Sequence, residues 1–273
     1  MDWVRNLIRP EPLVLGNGKI IQPKMSVMVI VIPILVLAVL FSAYITGFNF
    51  ITLFRRGYQF FVIVGRKSPP AWSYFPEVIG TLIETIMMSI MGTLIGAFLS
   101  LPLAFLSSDN IIKNKAFLWT NRMIVSLFRT MPILIFAFIL KYIFGIGTFA
   151  GTLSIALFTW LIMTKMLYEI IETVDMGPFE ALESSGASRL RAFSVSIIPQ
   201  ILGQYISIAL YNFEMNVRSA AILGYVGAGG IGLLINEKLG WRQYDKVGLI
   251  LLSLLVTVYA IESFSRYVRK KLT

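Results

Sequence analysis

Cysteine and histidine are both absent from the 273 residues. Without thiols the chain forms no disulfide, offers no thiolate nucleophile and builds no Cys/His zinc site. Without imidazole it lacks the usual proton shuttle near neutral pH. Charge is scarce as well. Charged residues make up 14% of the chain, against about a quarter in soluble domains. No Gly-x-x-x-x-Gly-Lys-Ser/Thr loop occurs, so any ATP used must be bound by another chain. No nucleophile–base pair or metal cluster stands out among the polar residues either.

What the chain has is apolar length. Apolar residues supply 57% of it, and the mean hydropathy is +0.78. Windows of about 20 mostly apolar residues, enough to cross a bilayer, recur along the sequence. The pattern is that of an all-α polytopic membrane protein with six transmembrane helices.

The first span is Met25 to about Thr46, with Pro33 as a kink site, and we expect it to be retained rather than cleaved as a signal. Residues 1–24, with Trp3, Arg5, Arg9, Lys19 and Lys24, read as a cytoplasmic tail. Tyr58–Val64 is too short to span and is flanked by Arg55, Arg56, Arg66 and Lys67. It reads as a helix lying on the outer leaflet, ended by Pro69-Pro70. The second span, about Ile79 to Leu106, has Gly92 and Gly96 four apart, spacing that brings helix backbones close. Glu84 falls near its outer end.

Ser107–Arg122 reads as a polar connection. The third span, Met123 to Phe144, is interrupted by Arg129-Thr-Met-Pro132, and the fourth is Thr148 to Ile171. The fifth runs from about Ile201 to Leu223 and the sixth from Val247 to Phe264, before a basic tail containing Arg266, Arg269, Lys270 and Lys271. With the amino terminus inside, thirteen basic residues fall on cytoplasmic segments and eight outside, a bias of the right sign. The net charge of +10 thus reports orientation rather than nucleic-acid binding. The division is residues 1–77, holding tail, first helix and interfacial segment, and 78–268, a core with a polar loop over 173–199.

That loop is a polar island. Pro178 fits a first helical position, and Glu180 and Glu183 favour the positive helix end. Gly186 supplies a corner, Ser188 caps a second helix and Pro199 closes the unit. A helix of about two turns, roughly 12 Å, crosses nothing, so its use is as a knob offered to another protein.

The fifth span carries Asn212, Glu214, Asn216, Arg218 and Ser219. Glu214 and Arg218 share a helix face and can pair. An unpaired charge at a helix centre costs roughly 2.5–3.5 kcal/mol on insertion scales, so a partner or a wet cavity is expected. Either the pair fastens helices, or these residues border a hydrophilic path in which Arg218 favours an anion. Gly224, Gly227, Gly229, Gly230 and Gly232 follow. Residues 227–232 match Gly-x-Gly-x-x-Gly, but no βαβ unit surrounds them, so they read as a helix break at an outer gate.

Glu180-Ala181-Leu182, Gly186 and Pro199 resemble the cytoplasmic loop of ABC-importer permeases, with Leu182 and Ile198 as mild departures. The run from Phe213 through Glu214, Asn216, Arg218 and Ser219 to Gly232 is similar to that of the phosphonate-type permeases. Arg129-Thr-Met-Pro132 also fits that group, although Ile133 stands where it often has Glu. The likeness covers about residues 75–268. It implies a type I ABC importer permease fold in the bacterial cytoplasmic membrane, with both termini cytoplasmic. It also implies a second copy as partner, an ATPase dimer that uses ATP and Mg, and an extracytoplasmic binding protein delivering phosphonate, phosphite or a related oxyanion. No cofactor or metal would bind this non-catalytic chain. The competing expectation is a proton-coupled carrier titrating Glu84 or Glu214. The absence of histidine and of an inverted repeat stands against it.

Overall fold

The computed structural model describes residues 13–14, 16, 18, 20–21, 27–67 and 69–272. Trp3, Arg5, Arg9, Lys19 and Lys24 of the expected tail lie outside the described residues. The chain divides into two compact units, residues 1–64 and 65–273.

In the first unit, β1 (Leu13–Val14) and β2 (Ile20–Ile21) form a short antiparallel pair. Helix α1 (Met28–Ile45) buries none of its residues. A helix apolar all round is suited to lipid. Pro33 lies inside it without ending it. Helix α2 (Phe50–Arg56) is capped by the Asn49 side chain, which accepts from the Thr52 amide at 3.1 Å. Gly57 separates it from α3 (Tyr58–Arg66).

The second unit is helical and is built on α4 (Phe75–Ser107) and α7 (Thr148–Ile171), which pack along each other. The glycine spacing explains how closely. A Cβ on Gly92 would lie 2.6 Å from Ile155 Cγ2, and one on Gly96 would lie 2.6 Å from the Ala156 carbonyl. Neither fits, so these positions act through their lack of a side chain. The hydroxyls of Thr85, Ser89 and Thr93 donate to carbonyls four residues back in α4, which satisfies them inside an apolar bundle.

Between α4 and α7 the sequence expectation needs correction. Ser107–Arg122 is not simply a connection, and Met123–Phe144 is not one straight helix. Helix α5 (Lys115–Arg129) and α6 (Ile133–Phe144) meet at 85°. Pro132 has no N–H to continue the ladder and disfavours helix in the residue before it, so Arg129-Thr-Met-Pro132 is the corner. Helix α6 has twelve residues, about 18 Å, short of the ~30 Å hydrocarbon layer. Among the described residues, five helical segments are long and apolar enough to cross a membrane, and the bent pair makes six when taken as one.

The chain continues through α8 (Gly177–Ser184), α9 (Arg189–Ala192), a π-helical turn (Phe193–Ile197) and α10 (Ile198–Leu223). Helix therefore runs unbroken from Arg189, and Pro199 does not close a separate unit. It stands just after the π-helical turn, at the start of α10, so the ladder bond its missing N–H cannot make falls where the helix changes its winding. A 3₁₀ turn (Gly224–Val226), α11 (Gly230–Gly240) and α12 (Tyr244–Leu272) complete the unit. The expected basic tail is the last turns of α12.

Candidate functional site

Three groups of residues were expected to matter, and the structure places them at three levels of the second unit. At one end lies the loop. Asp175 Oδ1 accepts from the Gly177 amide at 2.9 Å and starts α8, with Pro178 in its first turn. Phe179 faces inward and is 2% exposed, packed with Ile111, Leu167, Ile171, Phe193 and Ile197. Glu180 and Ala181 face outward, while Leu182 leans on the same cluster. The Gly186 φ of +88° turns the chain left-handed, a conformation an L side chain rarely adopts. The Ser188 hydroxyl accepts from the Arg191 amide, as expected of a cap. Arg189 closes the corner, its Nε donating to Glu183 at 2.8 Å and its Nη1 to the Ile111 carbonyl at 3.2 Å. The result is a fixed knob: one aromatic anchor inside, one carboxylate outside.

At mid-bundle, α10 carries the charged group. Arg218 Nη2 donates to Glu214 Oε1 at 2.5 Å and to Glu262 Oε2 at 3.0 Å. Arg269 Nη2 donates to the other Glu214 oxygen at 3.3 Å, and Arg266 donates to Glu262 at 2.5 Å. Glu214 is 6% exposed, so its two guanidinium partners supply the compensation that a buried carboxylate requires. Asn216, 3% exposed, donates to the Thr93 and Thr159 hydroxyls at 2.8 Å each, tying α10 to α4 and α7. Asn212 and Ser219 donate to carbonyls four residues back on their own helix. Glu262 and Arg269 complete the charged network and were not singled out from sequence. The signal for Glu262 was there: a carboxylate inside an apolar span needs a partner, and Arg266 is four residues on.

At the other end the glycines make a tight reversal. Gly227, Gly229 and Gly230 all have positive φ. The Gly227 amide donates to the Gly224 carbonyl at 3.0 Å, and the Ile231 amide donates to Thr85 Oγ1 at 2.8 Å. The chain then folds back against α10. A Cβ on Gly232 would lie 1.9 Å from the Ala221 carbonyl, and one on Gly224 would lie 2.2 Å from the Leu233 amide nitrogen. Only glycine permits that crossing. Just beyond, the Glu237 carboxylate holds the Lys238 ammonium above its ordinary pKa. No group of three or more His, Cys, Asp or Glu residues among the described residues could hold a metal.

Residues 100–273 match the model of the family "Binding-protein-dependent transport system inner membrane component". The chain belongs to that family. Membership leaves the proton-coupled carrier without support and makes the chain a non-catalytic transport subunit of an ABC importer, multi-pass in the membrane. The "Phosphite transport system permease protein PtxC" of Stutzerimonas stutzeri is 34% identical over 208 residues, covering 76% of each chain. The "Phosphate-import permease protein PhnE" of Mycolicibacterium smegmatis is 31% identical over 225 residues. The match takes in 82% of this chain and 42% of the relative's length. A chain of the MetNI methionine ABC transporter, solved in an inward-facing conformation, superposes with a TM-score of 0.65 at 21% identity. The superposition covers 74% of this chain and 99% of the other, so the type I ABC importer permease fold is common to both.

Proposed function

We propose that this chain is the permease subunit of an ATP-driven importer carrying phosphonate, phosphite or a related phosphorus oxyanion across the bacterial cytoplasmic membrane. Family membership and the names of the relatives support the cargo class. The observation that carries the mechanism is the α8 knob, with Phe179 packed into the bundle and Glu180 turned outward.

An ATPase dimer binds ATP and Mg and grips Glu180, Ala181 and the Gly186 corner. Closure of that dimer pushes α8, and Phe179 passes the push to α7 and α10 through the cluster it fills. Such a lever needs two discrete arrangements of the bundle, which alternating access supplies. The chain pairs with a second copy of itself, both termini face the cytoplasm, and a binding protein delivers the anion outside. The charged level holding Arg218, Glu214 and Ser219, with Asn212 and Asn216 beside it, borders the route, and the Gly224–Gly232 reversal forms the outer gate.

The test is uptake by the permease reconstituted with its ATPase and binding protein. Glu180→Lys and Gly186→Leu should each abolish ATP-dependent uptake of phosphite and methylphosphonate while inserting normally. Normal uptake by both variants would remove the coupling role. Arg218→Gln should slow uptake of the anion with little change in ATPase activity if it borders the route. A drop in thermal stability alone would make it a fastener.

A further inference from the structure

The Arg129-Thr-Met-Pro132 corner takes no part in that mechanism. Helix α6 packs along α7 while α5 meets α6 at 85°, so α5 lies across the end of the bundle rather than along it. That is the end bearing the α8 knob: the Asp109 amide donates to Glu172 at 3.0 Å, and Asn110 donates to the Ile171 carbonyl at 2.7 Å. Exposed Phe117, Trp119 and Leu127 alternate on α5 with Lys115, Arg122 and Arg129, the composition of a helix at a membrane surface.

Between α5 and α7 lies a cavity of about 340 Å³, walled by Trp119, Arg122, Ser126, Arg129, Lys165 and Tyr168. Two cations flank the Tyr168 ring, Arg122 Cζ at 4.5 Å and Lys165 Nζ at 4.8 Å from its centroid. Arg122 is held in place by an ion pair with Glu172, and its Nε donates to the Ser107 carbonyl at 2.8 Å. Lys165 pairs with Glu169. Arg129 has no carboxylate partner among the described residues. Three cations thus meet two carboxylates, and one positive charge is left at the mouth of a partly apolar cavity.

We propose that this cavity seats a phosphate-type oxyanion: the phosphodiester of an anionic lipid headgroup, or a free phosphorus oxyanion of the same chemistry. Guanidinium groups match such oxygens in shape as well as charge, and an exposed Trp119 suits the headgroup level that tryptophan favours. The proposal rests on the importer mechanism only for the side of the membrane it assigns, the cytoplasmic leaflet. Occupancy would pin the α5–α6 corner to the membrane surface while the rest of the bundle moves.

The experiment is native mass spectrometry of the purified full chain offered phosphatidylglycerol and phosphatidylcholine. Wild type should retain the anionic lipid about fivefold over the zwitterionic one, a preference that falls as salt rises. Arg129→Gln and Lys165→Gln should lose it, while Lys115→Gln, on the same helix but off the cavity, should keep it. Displacement of the lipid from wild type by millimolar inorganic phosphate would support the seat and assign it to a free oxyanion, whereas lipid retained by wild type against phosphate and lost in Arg129→Gln would assign it to the headgroup. Equal lipid retention by wild type and Arg129→Gln, with no phosphate effect, would overturn the seat. So would a loss in Lys115→Gln as large as in Arg129→Gln. Binding is read without the ATPase, so this seat and the importer mechanism fail independently.

Discussion

Glu180 and Glu214 are two carboxylates that the sequence marked for function, and the fold treats them in opposite ways. Glu180 stands exposed on a two-turn helix whose packing falls to Phe179 and Leu182. Glu214 is buried with Arg218 and Arg269 donating to it from two helices. The first contributes little to the folded state and is free for a partner. The second cannot be altered without stranding charge. The contrast separates residues that work between chains from those that first have to hold one chain together.

Four substitutions would break or sharpen that contrast. Phe179→Ala empties the cluster under the loop and should cost about 3–5 kcal/mol, seen as a fall in the melting temperature of the purified permease. Glu214→Ala leaves two guanidinium groups without their shared carboxylate. Breaking a fully buried pair costs about 3–5 kcal/mol, but Arg218 is 40% exposed, so about 2–3 kcal/mol is expected in the same melt. Asn216→Leu removes the tie to Thr93 and Thr159 and should cost about 1–3 kcal/mol, with proteolysis between α7 and α10 speeding up accordingly. Glu180→Lys should move stability by no more than about 0.5 kcal/mol while ATP-dependent uptake is lost. If Glu180→Lys melts as early as Glu214→Ala, the contrast is wrong.

Much of the architecture was legible because its signals are local. Apolar windows gave the spans, the Pro178–Ser188 turn chemistry gave α8 and its corner, and the four-residue spacing gave both the Gly92–Gly96 contact and the Glu214–Arg218 pair. The α5–α6 corner was misread for a physical reason. Arg129-Thr-Met-Pro132 looks like a polar interruption whether the chain kinks slightly or turns through a right angle, and hydropathy carries no angle. Pro199 misled similarly, since a proline ends one helix as readily as it starts the next.

By itself the sequence determined that the chain enters a membrane, where its polar loop and glycine-rich break lie, and that it has no Gly-x-x-x-x-Gly-Lys-Ser/Thr run. Composition and short spacings suffice for those, because burial in lipid and backbone geometry act over a few residues. Only the tertiary structure decided that Glu262 and Arg269 join Glu214 and Arg218, that Asn216 clamps three helices, and that Arg122, Arg129 and Lys165 surround one cavity. Those groupings join residues far apart in the chain, and helix packing alone brings them within reach of each other.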